Sequence, residues 1–117
     1  MTYNKDCLFC KIAQGQIPAE KVYEDEHVLA FNDINSQAPI HILVIPKSHI
    51  RNILEITQGD TQELSALIAA IKKITAEKEI QESGFRVVAN TGPNAGQEVD
   101  HLHFHILGGR PMSWPPG

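Results

Sequence analysis

The sequence predicts an α+β fold: an antiparallel meander of about five strands, one long helix on a face of the sheet and a short helix at the N-terminus. Three observations predict it. Short apolar runs bounded by turn formers recur at residues 22–24, 27–31, 41–46, 85–89 and 101–107. One longer stretch, from about Thr61 to Glu82, carries Leu64, Leu67, Ile68, Ile71 and Ile74 at helical spacing instead. The 117 residues contain no repeat and no linker-like stretch, so 1–117 reads as a single domain.

Each element has a local reason. Residues 7–14 place Leu8, Phe9 and Ile12 on one side of a short helix that Gly15 stops. Val22-Tyr23-Glu24 and His27 to Phe31 flank the turn pair Asp25-Glu26, a hairpin pattern. Residues 33–39 are rich in turn formers. His41 to Pro46 then reads as a central strand with His41, Leu43 and Ile45 on one face and Ile42 and Val44 on the other. Asp60 with Glu63 three residues on is a capping-box pattern for the long helix, and Gly84 suits its end. Phe85 to Ala89 is the next strand, and the loop Asn90 to Gln97, with two glycines, leads into the last.

Composition narrows the function. Apolar residues make up 42% and charged residues 21%, a globular balance rather than a disordered one. A net charge of −4 argues against a general nucleic-acid binder or a binder of anionic membranes, yet leaves room for a small anion held by local geometry. The polar start has no apolar run behind it, and nothing approaches a membrane span, so a cytoplasmic protein is expected.

The run His101-Leu102-His103-Phe104-His105-Ile106-Leu107 carries the chemistry. In a strand its three imidazoles share one face and Leu102, Phe104 and Ile106 share the other. Imidazole serves as acid, base, nucleophile or ligand near neutral pH. A loop holding Gly92 and Gly96 feeds this strand, and glycine backbone can approach an anion closely. The pattern suits phosphoryl or nucleotidyl transfer. It equally suits a metal site, and it is also compatible with histidines merely exposed on a sheet.

Resemblance separates these readings. The run matches the histidine triad motif, and Phe31-Asn32-Asp33-Ile34, Gln37-Ala38-Pro39, His41 to Lys47, Gly96-Gln97, Leu107 to Arg110 and Trp114-Pro115-Pro116-Gly117 resemble the Hint branch of the histidine triad family. The resemblance covers nearly the whole chain. It implies a purine nucleoside phosphoramidase, which cleaves the P–N bond of adenosine or guanosine 5′-phosphoramidates and requires no cofactor for catalysis. Carried over by position, His103 is the nucleophile, His105 contacts phosphate or leaving group and assists proton transfer, and His101 and His41 orient and polarise the network. Asp33 would bind the ribose hydroxyls, and Asn90 would sit near phosphate and ribose. Backbone N–H groups around Gly96, Gln97 and Glu98 would hold phosphate. Leu8, Phe9, Ile12, Phe31 and Ile34 would wall the base. Without the resemblance, Asp33 and Asn90 read as turn formers, and His41, Phe9, Phe31 and Ile34 as core.

Two positions depart from the branch. Glu98 stands where a phosphate-touching serine or threonine is common, so its carboxylate is expected to turn away or pair. Asp100 stands where an aromatic residue is frequent. Cys7-x-x-Cys10 has zinc-ligand spacing. Some bacterial relatives with this start carry a structural zinc whose other ligands match His49 and His101; a reduced free pair and a redox pair are the alternatives. The resemblance also implies a homodimer with a joined sheet, in which Trp114 and Met112 shape the partner chain's leaving-group pocket. Dinucleoside polyphosphate hydrolysis and a nucleotide-binding regulatory or scaffold role are the competing functions.

Overall fold

The computed structural model describes residues 1–117. Five strands form one antiparallel sheet: β1 (Lys21–Glu24), β2 (Val28–Asn32), β3 (Ile40–Pro46), β4 (Phe85–Val88) and β5 (Phe104–Gly108). Two helices accompany it, α1 (Leu8–Ala13) and α2 (Thr61–Glu77). The sheet order is β1-β2-β3-β5-β4, so the first three strands form the expected meander while β5, not β4, pairs with β3. The chain between β3 and β4 crosses a sheet face as α2 and sets β4 down at the edge, leaving a place that β5 fills.

Strand alternation sorts the apolar residues into two layers. Val28, Ala30, Ile42, Val44, Leu102 and Ile106 pack against Leu67, Ala70, Ile71 and Ile74 of α2. Leu29, Phe31, Leu43 and Ile45 pack on the opposite face against Phe9, Cys10 and Ile12 of α1. Both faces are covered, which is why β2 and β3 read as nearly continuous apolar runs. No helix is long and apolar enough to cross a membrane.

Turn chemistry sets the ends. The Asp25 carboxylate accepts the N–H groups of His27 and Val28, each at 2.8 Å, and closes the β1–β2 turn; β2 begins one residue later than the pattern predicts. The expected Asp60–Glu63 capping box is not formed. The Asp60 carboxylate instead turns back to the Thr57 N–H at 2.9 Å, capping the 3₁₀ turn Gln58–Asp60 that immediately precedes α2.

Helix α2 also stops five residues short of Glu82. Glu79 adopts φ 57°, Ile80 N–H bonds to Thr75 O and Glu79 N–H to Ala76 O, a Schellman ending built without glycine. A left-handed non-glycine costs about 1 kcal/mol. Burial of Ile80 in the core offsets it, worth about 1.5–3 kcal/mol for a fully buried aliphatic side chain.

The histidine segment is likewise shorter as a strand than predicted. Ladder pairing covers only Phe104–Gly108, and His101 and His103 precede it. The alternation nevertheless persists: Leu102 and Ile106 enter the α2 layer, while His101 and His103 meet the Phe9 ring on the α1 side.

Candidate functional site

On the α1 side of the sheet lies a cleft of about 490 Å³ lined by Phe9, Asp33, Ile34, Asn35, Gln37, His41, Leu43, Asn90, Gly96, Glu98, Val99, His103 and His105. Register brings its histidines together. His41 pairs with Leu107 and Leu43 with His105, so His41 and His105 are diagonal neighbours on one face. Their rings meet, His41 Nε2 lying 2.9 Å from His105 Nδ1. The His103 and His105 rings lean together to 5.1 Å between centroids.

Backbone partners determine where each proton sits. The Gln37 N–H donates to His41 Nδ1 at 3.0 Å, so that nitrogen is unprotonated and Nε2 carries the hydrogen. That N–H donates to His105 Nδ1, with Asp33 Oδ2 at 3.3 Å as second acceptor. His105 must then hold its proton on Nε2. His103 is set in the opposite sense: its Nδ1 lies 2.7 Å from the His101 carbonyl oxygen, which only accepts, so Nδ1 is protonated and Nε2 keeps its lone pair. Neither His103 Nε2 nor His105 Nε2 has a partner within the chain. One cleft therefore offers an imidazole lone pair and an imidazole N–H side by side.

Burial, reinforced by His103 and His41, lowers the His105 pKa to about 4, against the pull of Asp33. Burial also lowers that of His41, again opposed by Asp33. Both rings are neutral at pH 7. The unfolded chain protonates such histidines near 6.5, before the folded state does, so stability falls as pH drops from about 6.5 towards 4. Urea unfolding midpoints of metal-free protein are expected to decline across that window. His105→Asn should make the decline shallower, with buried His41 and His101 keeping their shares of it, and an unchanged slope would contradict the assignment.

The surrounding groups divide by role. Asp33 does two things: Oδ1 accepts the Asn35 N–H at 2.8 Å, shaping the turn, while Oδ2 faces His41. Asn90 lines the cleft with its amide uncommitted, and Ile34 is a fully exposed rim residue. Phe9 forms a wall; Phe31 and Ile12 stand behind it in the core rather than in the cleft, Phe31 meeting Phe9 edge-on at 5.5 Å. Leu8 faces a neighbouring recess. Of the expected phosphate-holding N–H groups, Gly96 donates to Pro93 O and Gln97 to Gly92 O, which leaves that of Glu98 free. The Gln97 side chain is a brace, joining Gly92 N–H to the carbonyls of Arg51 and Val99.

Glu98 lies at the wall shared by the cleft and the recess, exposed, and forms no ion pair. Asp100 does pair, with Arg51 Nε at 2.9 Å. Trp114 is absent from this chain's own cleft. It stands exposed beside β4, bounding a groove of about 750 Å³, where the Arg86 guanidinium holds the Ser113 carbonyl.

Gln37, Asn35, Leu43 and Val99 are cleft residues to which the sequence assigned no role. Leu43 had a signal, since it follows His41 by two on one strand. Gln37 was visible only as part of the Gln37-Ala38-Pro39 resemblance, with no role, because its contribution is a backbone N–H held in place by Arg110 on its carbonyl at 2.9 Å. Gly109 lets these loops close: its φ is 89°, and a Cβ there would meet Pro39 Cβ at 2.9 Å.

His101 belongs to a second cluster. Its Nδ1 lies 3.2 Å from Cys7 Sγ, 3.5 Å from Cys10 Sγ and 3.3 Å from His49 Nδ1. Cys10 Sγ and His49 Nδ1 are 3.3 Å apart, and the four ligand atoms all fall within 4.8 Å of one another. Tetrahedral zinc, with bonds of about 2.3 Å to sulfur and 2.0–2.1 Å to nitrogen, separates its ligands by roughly 3.3–3.8 Å. The His101 Nε2–H donates to the Pro46 carbonyl at 2.8 Å, which leaves Nδ1 unprotonated towards the thiols. Burial lowers the His101 pKa to about 4, so the ring is neutral as ligation requires. Burial pushes the Cys10 thiol up to about 11, an environment in which only a cation would hold the thiolate. The residues fit a Cys₂His₂ zinc site.

Comparison with known proteins places this geometry. A family model described as "HIT domain" matches residues 14–112. A purine nucleoside phosphoramidase of Escherichia coli is 42% identical over 108 residues, covering 92% of this chain and 91% of that protein. A 14 kDa zinc-binding protein of Zea mays is 46% identical over 112 residues, with 94% and 87% covered. The crystal structure of a HIT family hydrolase from Legionella pneumophila superposes with a TM-score of 0.93 at 50% identity, covering 96% of this chain and all of that one.

Proposed function

This chain belongs to the HIT domain family, and from that premise we propose that it is a hydrolase cleaving the P–N bond of purine nucleoside 5′-phosphoramidates. The observation that carries the reading is the pair of opposed tautomers, His103 Nε2 with a lone pair and His105 Nε2 with a proton, in one cleft.

The steps follow from that pair. His103 Nε2 attacks the α-phosphorus as the P–N bond breaks, giving a nucleotidyl-histidine. The positive charge arising on the ring is met by the His101 carbonyl at Nδ1–H. The departing nitrogen needs one proton. A phosphate anion beside His105 counters the burial that keeps this ring neutral, so in the complex His105 takes a proton from solvent on Nδ1, the His41 N–H turning to Asp33 Oδ2, and passes its Nε2 proton to the amine. Water then attacks phosphorus, the P–Nε2 bond breaks, the proton that water loses passes to His105 Nε2, and His105 gives up its extra proton to solvent as the products leave. The products are a nucleoside monophosphate and an amine. Asp33 and Asn90 are the acceptor and donor for ribose, Phe9, Ile34 and Leu43 the base walls, and the free Glu98 N–H a phosphate donor. The four ligands of the Cys₂His₂ site would hold zinc apart from these steps, and the ion would supply cross-linking of α1 to the sheet.

Charge separates this from dinucleoside polyphosphate hydrolysis. No lysine or arginine lines the cleft, whereas Asp33 and an unpaired Glu98 do. A phosphoramidate brings one negative charge, a polyphosphate several. The wild type is expected to prefer adenosine phosphoramidates to diadenosine polyphosphates, and Glu98→Gln should narrow the ratio of kcat/KM by roughly five-fold, the scale of one charge at partly solvated range. A wild type that favours the polyphosphate would overturn the reading.

We also infer a homodimer. The outer edge of β4 is unpaired, and Phe85, Val87 and Trp114 are exposed along it. That edge suits sheet continuation by a second copy, which would bring Trp114 to the partner's leaving-group side. The net charge of −4 supports a small nucleotide rather than a nucleic acid or anionic membrane as the ligand.

A further inference from the structure

We propose that the Cys7–Cys10–His49–His101 site positions the nucleophile, a divalent cation bound there holding His103 in its reactive tautomer through the backbone of His101 and the ring of Phe9. The kinetic part of this inference rests on the phosphoramidase reading; the spectroscopic part does not.

Two physical connections run from the cluster to His103. The first is His101 itself, fully buried. Its ring is pinned at both nitrogens, Nδ1 among the ligand atoms and Nε2 on the Pro46 carbonyl at 2.8 Å. Its own carbonyl accepts the His103 Nδ1–H at 2.7 Å. That single acceptor is what places the His103 proton on Nδ1. If the carbonyl drifts, nothing else in the chain opposes the other tautomer, whose Nε2–H has no lone pair to attack phosphorus.

The second connection is α1. Its six residues are too few to hold helical shape unaided. Both thiols sit at its start, and Phe9 lies between them in sequence. The Phe9 ring stands edge-on to His101 at 5.9 Å and to His103 at 5.2 Å, the latter with planes 89° apart. Four bonds to one cation would fix α1, Phe9 and His101 together. Without them, sulfur and imidazole are joined only by weak sulfur hydrogen bonds.

The cation is of the class that takes two sulfur and two nitrogen ligands tetrahedrally, with Zn²⁺ the first probe. The experiment uses the full chain labelled with ¹⁵N-histidine. Long-range ¹H–¹⁵N correlation reads the His103 tautomer in zinc-loaded protein, after chelation, and after reloading with zinc. Circular dichroism at each stage establishes that the fold is intact.

The expected result is a single Nδ1–H tautomer with zinc and a mixture without it. In parallel, kcat for an adenosine phosphoramidate should fall about ten-fold, the lower end of the range for outer-shell groups, with KM within two-fold. Reloading restores both. Leu67→Ala, on the opposite face of the sheet, destabilises the fold without touching either connection and should leave the tautomer unchanged. His49→Gln in zinc-loaded protein removes one ligand and covers the case in which chelated protein unfolds; a mixed tautomer is expected there too. A folded chelated protein, or a His49→Gln variant, that retains a single Nδ1–H tautomer overturns the proposal, as does untagged protein that binds no zinc. A tautomer that shifts in a protein inert to every phosphoramidate upholds the positioning and removes the function reading alone.

Discussion

His103→Ala is expected to lower kcat for adenosine phosphoramidate hydrolysis by at least about four orders of magnitude, the scale on which nucleophile deletions act. The size follows from the geometry. His103 is the one cleft imidazole whose Nε2 lone pair is free, because His41 and His105 both carry their Nε2 protons. No neighbour can take over: His105 would have to reverse its tautomer against the His41 N–H that faces its Nδ1 at 2.9 Å. Nucleoside monophosphate should still bind within several-fold of wild type, since Asp33, Asn90 and the Phe9 wall remain. Stopped assays with product quantified by chromatography, together with calorimetric titration of AMP and GMP, provide the check. Loss of binding together with loss of turnover would point to a folding defect instead.

Cys10→Ser is expected to lower the thermal midpoint of zinc-loaded protein by about 12–20 °C, from roughly 3–5 kcal/mol lost at about 4 °C per kcal/mol for a chain of this length. Cys10 is fully buried in the α1 layer, and its Sγ lies 3.3–3.5 Å from two of the other ligand atoms. Serine removes the thiolate, and with it one of the four ligands through which a bound ion would stabilise the fold. Scanning calorimetry with and without chelator measures it. Wild type after chelation should approach the variant, and a variant as stable as zinc-loaded wild type would show that the cluster holds no ion that matters to the fold.

How far the sequence foretold this structure depended on the range of the cause. Alternation was local: Leu29 and Phe31 facing one way and Val28 and Ala30 the other follow from period two alone, and so did the common face of His41 and Leu43. The end of α2 was not local. Thr75 to Glu82 contains good helix formers, and what breaks the helix at Glu79 is the burial of Ile80 against the distant Gly108. Asp60 presented a capping pattern towards Glu63 and used its carboxylate on Thr57 instead, because a preceding 3₁₀ turn competed for it.

The site divides in the same way. The triad, Asp33 and the Cys-x-x-Cys pair were visible as residues, and resemblance named His49 and His101 beside them. What could not be read were the proton positions. They depend on three backbone groups, the Gln37 N–H, the His101 carbonyl and the Pro46 carbonyl, which become partners only once β3 and the histidine segment lie side by side. Phe31 and Ile12 show the converse limit: apolar residues near a site in sequence look alike whether they wall it or support the wall.

The proposed covalent intermediate on His103 can be trapped. Enzyme mixed with excess adenosine phosphoramidate and quenched in alkali within the first turnover, where phosphorus–imidazole bonds persist, is analysed by intact-protein and peptide mass spectrometry. An adenylyl adduct is expected on the peptide carrying His103, localised to that residue and absent from His103→Ala. An adduct localised to His105, or full first-turnover product with no adduct at any time point, would contradict it.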